Sequence, residues 1–224
     1  MKNIYILWAT VRPEMMNENW KNWENNCVTD TKIFLKVAVL TEKQKNKIDS
    51  YNIENCDVII TNEENGYNYA LTVLTRNLEV NDDDIIITVT DDFSSPEGWD
   101  RYILNKFNTF DGAIFLDDGY QDKNVKVGAL CITIACLTFN ALKKLNRIVF
   151  PPYYKHFFSD NEAFTNFYQL GILKDDRDID DMQFTHGRSR RTIDKYDERN
   201  MLCWDEDKIT LDKRMIMSLK ERLK

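Results

Sequence analysis

The segment that most restricts how this chain folds is the apolar run Ile85-Ile86-Ile87-Thr88-Val89. A run of this length, rich in β-branched residues, predicts a strand buried on both faces, as in parallel sheets covered by helices. Two adjacent carboxylates, Asp91 and Asp92, follow the run after a single threonine. They are therefore expected at the carboxyl end of a buried strand, where open α/β sheets bind ligands.

Two like charges side by side repel each other unless a cation or hydrogen-bond donors compensate them. A divalent ion with oxygen ligands is one such compensation, and it commonly also holds a substrate phosphate. The alternative interpretation is a solvated acidic turn that precedes Ser94-Ser95-Pro96. Residues 90–92 by themselves leave both interpretations open.

Strand-like and helix-like segments alternate over the first 90 residues, which predicts βαβ units and an α/β fold with a mostly parallel sheet. Helical patterns at 157–168, where Ser159 and Glu162 match a capping box, and at 210–223 follow in the less regular second half. Glycine and proline are scarce, at 7 and 4 residues, which favours a single continuous domain. The apolar runs typical of strands are at 4–9, 33–40, 57–60, 85–89, 113–116 and 129–137, and the earlier helical patterns are at 14–26, 41–51 and 67–78.

Composition and charge exclude several classes of protein. Hydrophobic residues make up 43% of the chain, so a core is available and global disorder is not expected. The net charge of −7 disfavours non-specific binding to nucleic acid, although Arg188, Arg190 and Arg191 form a local basic stretch that could meet phosphates. No apolar run approaches the length of a membrane span and no signal-peptide pattern is present, so a soluble cytoplasmic protein is expected. The five cysteines lack CxxC spacing, which favours reduced thiols over a zinc site.

Several nucleotide-binding and hydrolytic motifs do not occur in the sequence. No GxGxxG follows the first strand, no GxxxxGK[ST] is present, and no GxSxG occurs. If the protein handles a nucleotide, it does so without a dinucleotide fingerprint or a P-loop.

Other polar residues are expected at strand ends or helix starts. Thr10 and Arg12 follow the first strand just before Pro13, where they could meet a base or a diphosphate, although an arginine in such a loop is usually only exposed. Asp57 belongs to a second buried strand with polar ends. Asn68 opens a helix, where it could cap the helix or touch a ligand phosphate.

Two carboxylates and a histidine complete the set of candidate residues. Asp160 and Glu162 are two positions apart, so they do not share a helix face, and either could act as a general base; helix capping is an equally good explanation. His186, one of two histidines, follows a charged segment and could complete a carboxylate-based metal site.

Taken in order, these segments resemble the GT-A glycosyltransferases, particularly the family 2-like enzymes of bacteria and phages. The resemblance covers roughly residues 3–200 and depends on the ordered set, since no single motif is specific. Asp91-Asp92-Phe93 stands where a strict DxD would be, and Gly187 follows the histidine where relatives often have proline. The segments that carry it are Ala9-Thr10-Val11-Arg12-Pro13, Gly66-Tyr67-Asn68-Tyr69-Ala70, Thr90-Asp91-Asp92-Phe93 with the following Pro96 and Gly98-Trp99, Phe158-Ser159-Asp160-Asn161-Glu162, His186-Gly187-Arg188 and Asp194 to Asn200.

The resemblance implies a single GT-A domain and a role for each candidate residue. Residues 1–100 would form a nucleotide-binding half, 101–205 an acceptor half and 206–224 a C-terminal helix. Asp91 and Asp92 with His186 would hold Mn²⁺ or Mg²⁺, with Asp91 alternatively facing the ribose. Thr10, Arg12, Asp57 and Asn68 would line the nucleotide pocket. Asp160 would be the general base, with Glu162 as the alternative.

The reaction implied is transfer of a hexosyl or pentosyl group from a nucleotide-sugar, with a UDP-sugar as the expected donor, and with inversion at the anomeric carbon. The acceptor would be a glycan or a hydroxymethylated nucleobase in phage DNA. One alternative is a non-catalytic nucleotide- or glycan-binding domain on the same fold. Another is a nucleotidyltransferase, for which the expected Gly-rich, Lys-containing first loop is missing.

Overall fold

We describe the fold from a computed structural model, which describes residues 2–61, 66–119, 121, 130–177, 182–187, 193 and 195–224. The basic residues Arg188, Arg190 and Arg191 lie outside the described residues. The prediction that they meet phosphates therefore stays a prediction.

Four parallel strands form one half of the central sheet and confirm the predicted βαβ units. Three helices connect these strands, and the first of them begins at Pro13, whose fixed φ suits the first turn of a helix. A Thr41–Gln44 capping box fixes the start of the second helix, α2. The elements are β1 (Ile4–Ala9), α1 (Pro13–Asn25), β2 (Ile33–Val39), α2 (Glu42–Asp49), β3 (Cys56–Ile60), α3 (Gly66–Arg76) and β4 (Ile85–Val89).

Three further strands complete a seven-stranded sheet. Its order is β3-β2-β1-β4-β7-β6-β8, in which β7 runs antiparallel to both of its neighbours while β6 and β8 run parallel to each other. Because β7 is antiparallel, its first residues lie at the carboxyl end of β4. The elements are α4 (Trp99–Phe107), β6 (Ala113–Phe115), β7 (Ala135–Thr138), α5 (Phe139–Lys144), α6 (Ser159–Gln169) and β8 (Leu173–Asp175).

Apolar side chains cover both faces of the sheet, as the unbroken apolar strands predict. In β1, Ile4, Ile6 and Trp8 belong to one core cluster, which includes residues of α1, α2 and α4. Leu7 and Ala9 belong to the other, which includes residues of α3, α5 and α6. The alternation follows from the period of two along a strand, so the chain has the expected α/β architecture with helices on both sides of the sheet.

A small second sheet and three C-terminal helices lie outside this framework. Strand β5 (Phe93–Ser94) pairs antiparallel with β9 (Thr185–His186). The helices are α7 (Lys195–Met201), α8 (Trp204–Met215) and α9 (Leu219–Arg222). No helix in the described part of the chain is both long and apolar enough to cross a membrane.

Three local predictions differ from the structure. In the described part of the run 129–137, residues 130–137, only the last residues form a strand, β7, which begins at Ala135. The terminal helix expected at 210–223 is two helices, because a Ser218–Glu221 capping box starts a new one after Met217. Ser159 is the first residue of α6 rather than its cap, and its hydroxyl donates to Asn68 instead.

Candidate functional site

The first strand and the fourth end at the same edge of the sheet, and the residues that follow them meet there. Trp8 of β1 is in register with Val89 of β4. Thr10, the first residue after β1, stays attached to the sheet, because its N–H donates to the carbonyl of Ala38 in β2 at 2.9 Å. The prediction that Asp91 and Asp92 follow the carboxyl end of a buried strand is confirmed by this topology.

Asp91 is held by residues of the first strand and its loop. The indole N–H of Trp8 donates to its Oδ1 at 3.0 Å, the Thr10 hydroxyl also bonds the carboxyl group, and Arg12 Nη1 lies 3.8 Å from Oδ2. Asp91 is only 6% exposed. Burial raises the pKa of Asp91 to about 7, against the opposing effects of Thr10, Trp8 and Arg12. The structure therefore joins Thr10, Arg12 and Asp91 in one cluster.

Asp92 and His186 come together through the β5–β9 pairing. His186 Nε2 lies 3.5 Å from Asp92 Oδ2, and the hydroxyl of Thr90 donates to Oδ1 of the same carboxylate at 2.7 Å. The N–H of Gly187 donates to the carbonyl of Asp92 at 2.5 Å. A proline at position 187 would lack that donor, and even a Cβ would lie 3.1 Å from the Asp92 carbonyl oxygen. The glycine is thus suited to this close approach.

The donor set at this edge fits a divalent ion that is completed by a substrate. Among the described residues, no three His, Cys, Asp or Glu side chains form a group that could hold a metal by themselves. Asp92 and His186 are adjacent, whereas Asp91 turns its carboxyl group to Trp8, Thr10 and Arg12. One or two protein ligands supplemented by phosphate oxygens and water is the usual arrangement for Mg²⁺ at nucleotide sites.

Helix α1 fixes the loop that carries the two carboxylates, which the sequence analysis did not foresee. Polar side chains of the helix and of its C-cap residue, Asn26, recur at three- and four-residue spacing and bond the backbone of residues 91–95. The only signal was the repeated asparagine on one helix face. Asn19 donates to the carbonyl of Asp91, Asn22 accepts from the N–H of Ser95 at 2.8 Å, Trp23 donates to the carbonyl of Phe93 at 3.1 Å, and Asn26 donates to the carbonyl of Ser95 at 2.6 Å.

Tyr67 is a further residue of this edge that sequence reasoning did not single out as a site residue. Its hydroxyl donates to the carbonyl of Val89 at 3.2 Å. Burial, together with the charges of Asp91 and Asp92, holds the pKa of Tyr67 well above its ordinary value. The phenol therefore stays protonated as a hydrogen-bond donor beside the two carboxylates.

Arg12 links the first loop to helix α7. Its Nη2 lies 3.3 Å from Asp197 Oδ1, and its guanidinium lies 5.4 Å from the centre of the Tyr196 ring. The arginine is thus shared between Asp91 on one side and α7 on the other. This contact brings the C-terminal part of the chain to the carboxyl edge of the sheet.

A second pair of carboxylates, Asp117 and Asp118, follows β6 at the same edge and was also missed. Asp118 accepts from the hydroxyl of Thr133 at 2.6 Å and from the backbone and side chain of Gln121 at 3.1 and 3.0 Å. The carbonyl of Asp117 accepts from the N–H of Phe184 at 2.8 Å. The segment 182–187 therefore connects the acidic loop after β6 with the one after β4.

Asp160 lies in the first turn of α6, next to the chain that enters β7. Its carbonyl accepts from the N–H of Ile132 at 3.1 Å, and its carboxyl group bonds Cys131 and, at 3.0 Å, the N–H of Asn161. Burial raises the pKa of Asp160, and the charge of Asp118 adds to this effect. Asp160 thus lies near the carboxyl edge as a buried carboxyl group with a raised pKa.

Glu162 has a different environment from Asp160. It is 0% exposed, and both of its oxygens bond Arg214, at 2.7 and 2.8 Å, while the hydroxyl of Tyr154 donates to it at 2.7 Å. Both oxygens of the Glu162 carboxylate are therefore bonded within an internal ion pair. The structure therefore does not place Glu162 where it could serve as a base.

Asn68 and Asp57 are engaged in contacts within the protein, and Asp57 also lies near the amino end of its strand, away from the carboxyl edge. Asn68 is buried, with its amide donating to the carbonyl of Tyr154 at 3.1 Å and its oxygen accepting from Ser159 at 3.1 Å. Asp57 is the second residue of β3, is exposed, and forms an ion pair with Lys36 across to β2. Both residues have structural partners instead of a position in the site.

No protein-family model matches the sequence, and no curated protein matches it. Solved structures do match. TarS of S. aureus in complex with UDP-GlcNAc superposes with a TM-score of 0.62 at 14% identity, covering 86% of this chain and 62% of that chain. The mannosyltransferase PcManGT from Pyrobaculum calidifontis, in complex with GDP-Man and Mn²⁺, gives 0.63 at 12% identity, covering 83% and 56%.

A protein from Bacillus anthracis assigned as a glucose-1-phosphate thymidylyltransferase gives a TM-score of 0.54 at 10% identity, covering 85% of this chain and 93% of that chain. The chain spans from 36% to 62% of the length of the TarS structures that it matches. These likenesses define the fold, which is that of the GT-A glycosyltransferases. The expected fold is thereby confirmed, while activity has to be argued from the site.

Proposed function

We propose that this protein is a metal-dependent, inverting glycosyltransferase that moves a sugar from a nucleotide-sugar to an acceptor hydroxyl. The observation that carries the proposal is the pairing of Asp92 with His186 at the carboxyl edge of a GT-A sheet. The solved structures that share the fold include complexes with UDP-GlcNAc and with GDP-Man and Mn²⁺. A UDP-sugar is the donor that we propose for this chain.

Asp92 and His186 would hold Mn²⁺ or Mg²⁺, which would supply positive charge for the departing diphosphate. Thr10, Arg12 and Asp91 would line the nucleotide pocket, to which the Arg12 guanidinium would contribute positive charge. The first loop, Ala9-Thr10-Val11-Arg12-Pro13, lacks the glycines and lysine expected of a nucleotidyltransferase, which favours sugar transfer over nucleotidyl transfer.

Asp160 is the base of the proposed reaction. Its carboxylate would accept the proton of the acceptor hydroxyl as that oxygen bonds the anomeric carbon and the bond to the diphosphate breaks on the opposite face. The direction in which burial moves the pKa of Asp160 suits this role, since a higher pKa makes the carboxylate a stronger base. Glu162 is excluded from it by the ion pair with Arg214.

The proposal is tested by thermal unfolding with UDP, GDP or CDP and their common sugar conjugates, with and without Mn²⁺. A nucleotide at a hundred times its Kd stabilises the folded state by about 2.7 kcal/mol, which is a shift of about 5 to 10 °C in Tm for a chain of this size. We expect the shift to require the metal and to be lost in Asp92→Ala.

The matched control is Asp82→Ala, which removes an exposed carboxylate paired with Lys143 before the amino end of β4. It should keep the metal-dependent shift. Metal-dependent binding without any consumption of the sugar-nucleotide would favour a non-catalytic binding domain. The absence of a metal-linked shift with every nucleotide would refute the proposal.

A further inference from the structure

A cavity of about 500 Å³ lies between helices α6 and α8, outside the site described above. Its size is within the range of about 300–1,000 Å³ that small-ligand sites usually have. Side chains of α6 form most of one wall, and Leu211 and Met215 of α8 contribute to another. A ligand in this cavity would therefore contact both the core of the fold and its C-terminal segment.

The aromatic part of the wall consists of Phe158, Phe164 and Tyr168. The rings of Phe164 and Tyr168 are stacked, with centroids 6.1 Å apart and planes inclined by 14°. Tyr168 is 64% exposed, so much of its surface is available to a ligand. Stacked rings with an open face suit a ligand that has a flat apolar surface of its own.

The polar part of the wall is a row of uncharged side chains on one face of α6, namely Asn161, Thr165 and Gln169. Asn161 donates its amide to the carbonyl of Leu130 at 3.2 Å, which leaves its side-chain oxygen as an acceptor. The hydroxyl of Thr165 donates to the carbonyl of Asn161 at 3.0 Å and retains its acceptor capacity. Gln169 accepts from Arg222 through its oxygen and keeps its N–H groups as donors.

None of the described residues that line the cavity carries a charge. Such a lining has nothing to compensate a phosphate, which disfavours nucleic acid as the occupant. A purely hydrocarbon occupant would leave the row of amide and hydroxyl groups without partners, which costs free energy. Aromatic rings next to amides and a hydroxyl fit a sugar ring, which has an apolar face and a rim of hydroxyl groups.

Two residues of the cavity lining are sequence neighbours of residues at the proposed base. Asn161 follows Asp160 in α6, and Leu130 precedes Cys131, the residue that bonds the Asp160 carboxyl group. The cavity thus runs from the first turn of α6, which carries Asp160, to Gln169 at the end of that helix. The position of the cavity agrees with a role in holding the acceptor.

We propose that this cavity binds an uncharged part of a saccharide acceptor, with one sugar ring on Tyr168 and hydroxyl groups of the saccharide on Asn161, Thr165 and Gln169. The inference depends on the proposed glycosyltransferase function and specifies its substrate class. It selects a glycan over a nucleobase in DNA as the acceptor.

Saturation-transfer difference NMR on the whole chain, with UDP and Mn²⁺ present, tests the inference with three probes. These are methyl β-D-glucopyranoside, methyl β-D-galactopyranoside and the methyl glycoside of N-acetylglucosamine. We expect at least one to bind at millimolar concentration. Tyr168→Ala should raise its Kd about tenfold, as expected for the loss of one aromatic contact. Thr165→Lys, which places a charge in the cavity, should abolish binding.

The matched control is Tyr153→Ala, which removes a tyrosine that is 53% exposed and outside the cavity lining. It should bind the glycoside as the wild type does. Failure of all three glycosides to bind, binding that is unchanged in both cavity variants, or an equal loss in Tyr153→Ala would each overturn the inference. Binding of geraniol in place of the glycosides would also overturn it, in favour of a lipid.

The same samples separate this inference from the proposed function. Metal-linked stabilisation by UDP is measured on each variant before the glycoside is added. If that shift is present but the cavity variants have no effect on glycoside binding, the saccharide inference fails and the proposed function stands. If the shift is absent in the wild type, the proposed function fails first.

Discussion

At the scale of single residues, Asp160 and Glu162 differ in what surrounds them, although they are only two positions apart. Glu162 is neutralised by Arg214 inside the protein, whereas Asp160 is next to Cys131 and near the charge of Asp118. Asp160→Asn should therefore lower glycosyl transfer by about 10²- to 10⁴-fold, the usual contribution of a general base. Binding of UDP with Mn²⁺ should be unchanged, as measured by thermal shift. Transfer at the wild-type rate would show that another group accepts the proton.

Asp91 gives a prediction about stability and pH. Burial raises the pKa of Asp91 from 3.8 to about 7, so the folded state holds a proton that the unfolded chain has already released. The stabilisation from this group is complete below pH 3.8 and is lost as the pH rises through about 7. The side chain of Asp91→Asn does not titrate. Compared with that variant, the unfolding free energy of the wild type should fall between pH 3.8 and about 7 and then stay constant.

Urea unfolding of both proteins from about pH 4 to pH 8, with EDTA present to remove metal ions, measures this difference. Asp57→Asn serves as the control, since it changes an exposed carboxylate on β3. A difference between wild type and Asp91→Asn that does not vary with pH would contradict the raised pKa.

The sequence located these residues only in part. An apolar strand followed by two carboxylates was enough to predict the position of Asp91 and Asp92, because strand direction determines the edge at which they lie. The Ser159–Glu162 pattern predicted a capping box, but Arg214, more than fifty residues later, binds the glutamate instead. Such a distant partner cannot be identified from local spacing.

At the scale of elements, helix α1 supports the acidic loop. Asn22 accepts from the N–H of Ser95, and Ser95 is buried. Asn22→Ala would leave that N–H without its partner, which should cost about 1–3 kcal/mol of unfolding free energy. It should also weaken the metal-linked binding of UDP, because the loop that carries Asp92 loses one of its attachments.

Lys21→Ala is the matched control, since Lys21 is an exposed residue of the same helix. It should change neither the urea midpoint nor the UDP-dependent shift in Tm. If Asn22→Ala lowers stability but leaves UDP binding intact, α1 stabilises the fold without positioning the loop.

Helices α6 and α8 are joined by the buried pair of Glu162 and Arg214. Removal of one partner of a buried ion pair leaves an uncompensated charge and commonly costs 3–5 kcal/mol. Arg214→Met should therefore reduce the unfolding free energy by about that amount, and the double variant Arg214→Met, Glu162→Gln should recover part of it. Urea unfolding measures these changes. The control is Lys213→Met, which changes the exposed residue next to Arg214.

The long elements were predictable and the short ones were not. Strands β1 to β4 have continuous apolar runs, and each was predicted to within about one residue. Strands β5 and β9 have two residues each and pair across a long stretch of chain, so no periodicity could reveal them. That pairing is what brings His186 to Asp92; the sequence suggested a carboxylate partner for the histidine, and the resemblance to a known family named which one.

At the scale of the whole molecule, contacts between distant parts of the sequence connect the two halves. Strand β4 of the first half pairs with β7 of the second, and both are buried. Asp207 of α8 accepts from the backbone N–H groups of Lys155, His156 and Phe157, each at 2.8 Å. The C-terminal segment is therefore attached to the chain that enters α6.

These contacts lead to a prediction about domain organisation, which is that residues 1–224 unfold as one cooperative unit. Four of the five tryptophans, Trp8, Trp20, Trp23 and Trp99, lie in the first hundred residues, so tryptophan fluorescence reports mainly on that half. Far-UV circular dichroism reports on helices throughout the chain. In a two-state transition both probes give the same urea midpoint.

A separate fragment of residues 1–100 provides the complementary measurement. Without β7, β4 would be an edge strand of the fragment's sheet, although all five residues of β4 are buried in the intact chain. An unprotected apolar edge promotes association, so the fragment should aggregate or remain unfolded. A soluble fragment with cooperative unfolding, or two separate midpoints in the intact chain, would instead mean that the nucleotide-binding half is a domain of its own. The β4–β7 pairing would then join two domains that are already folded.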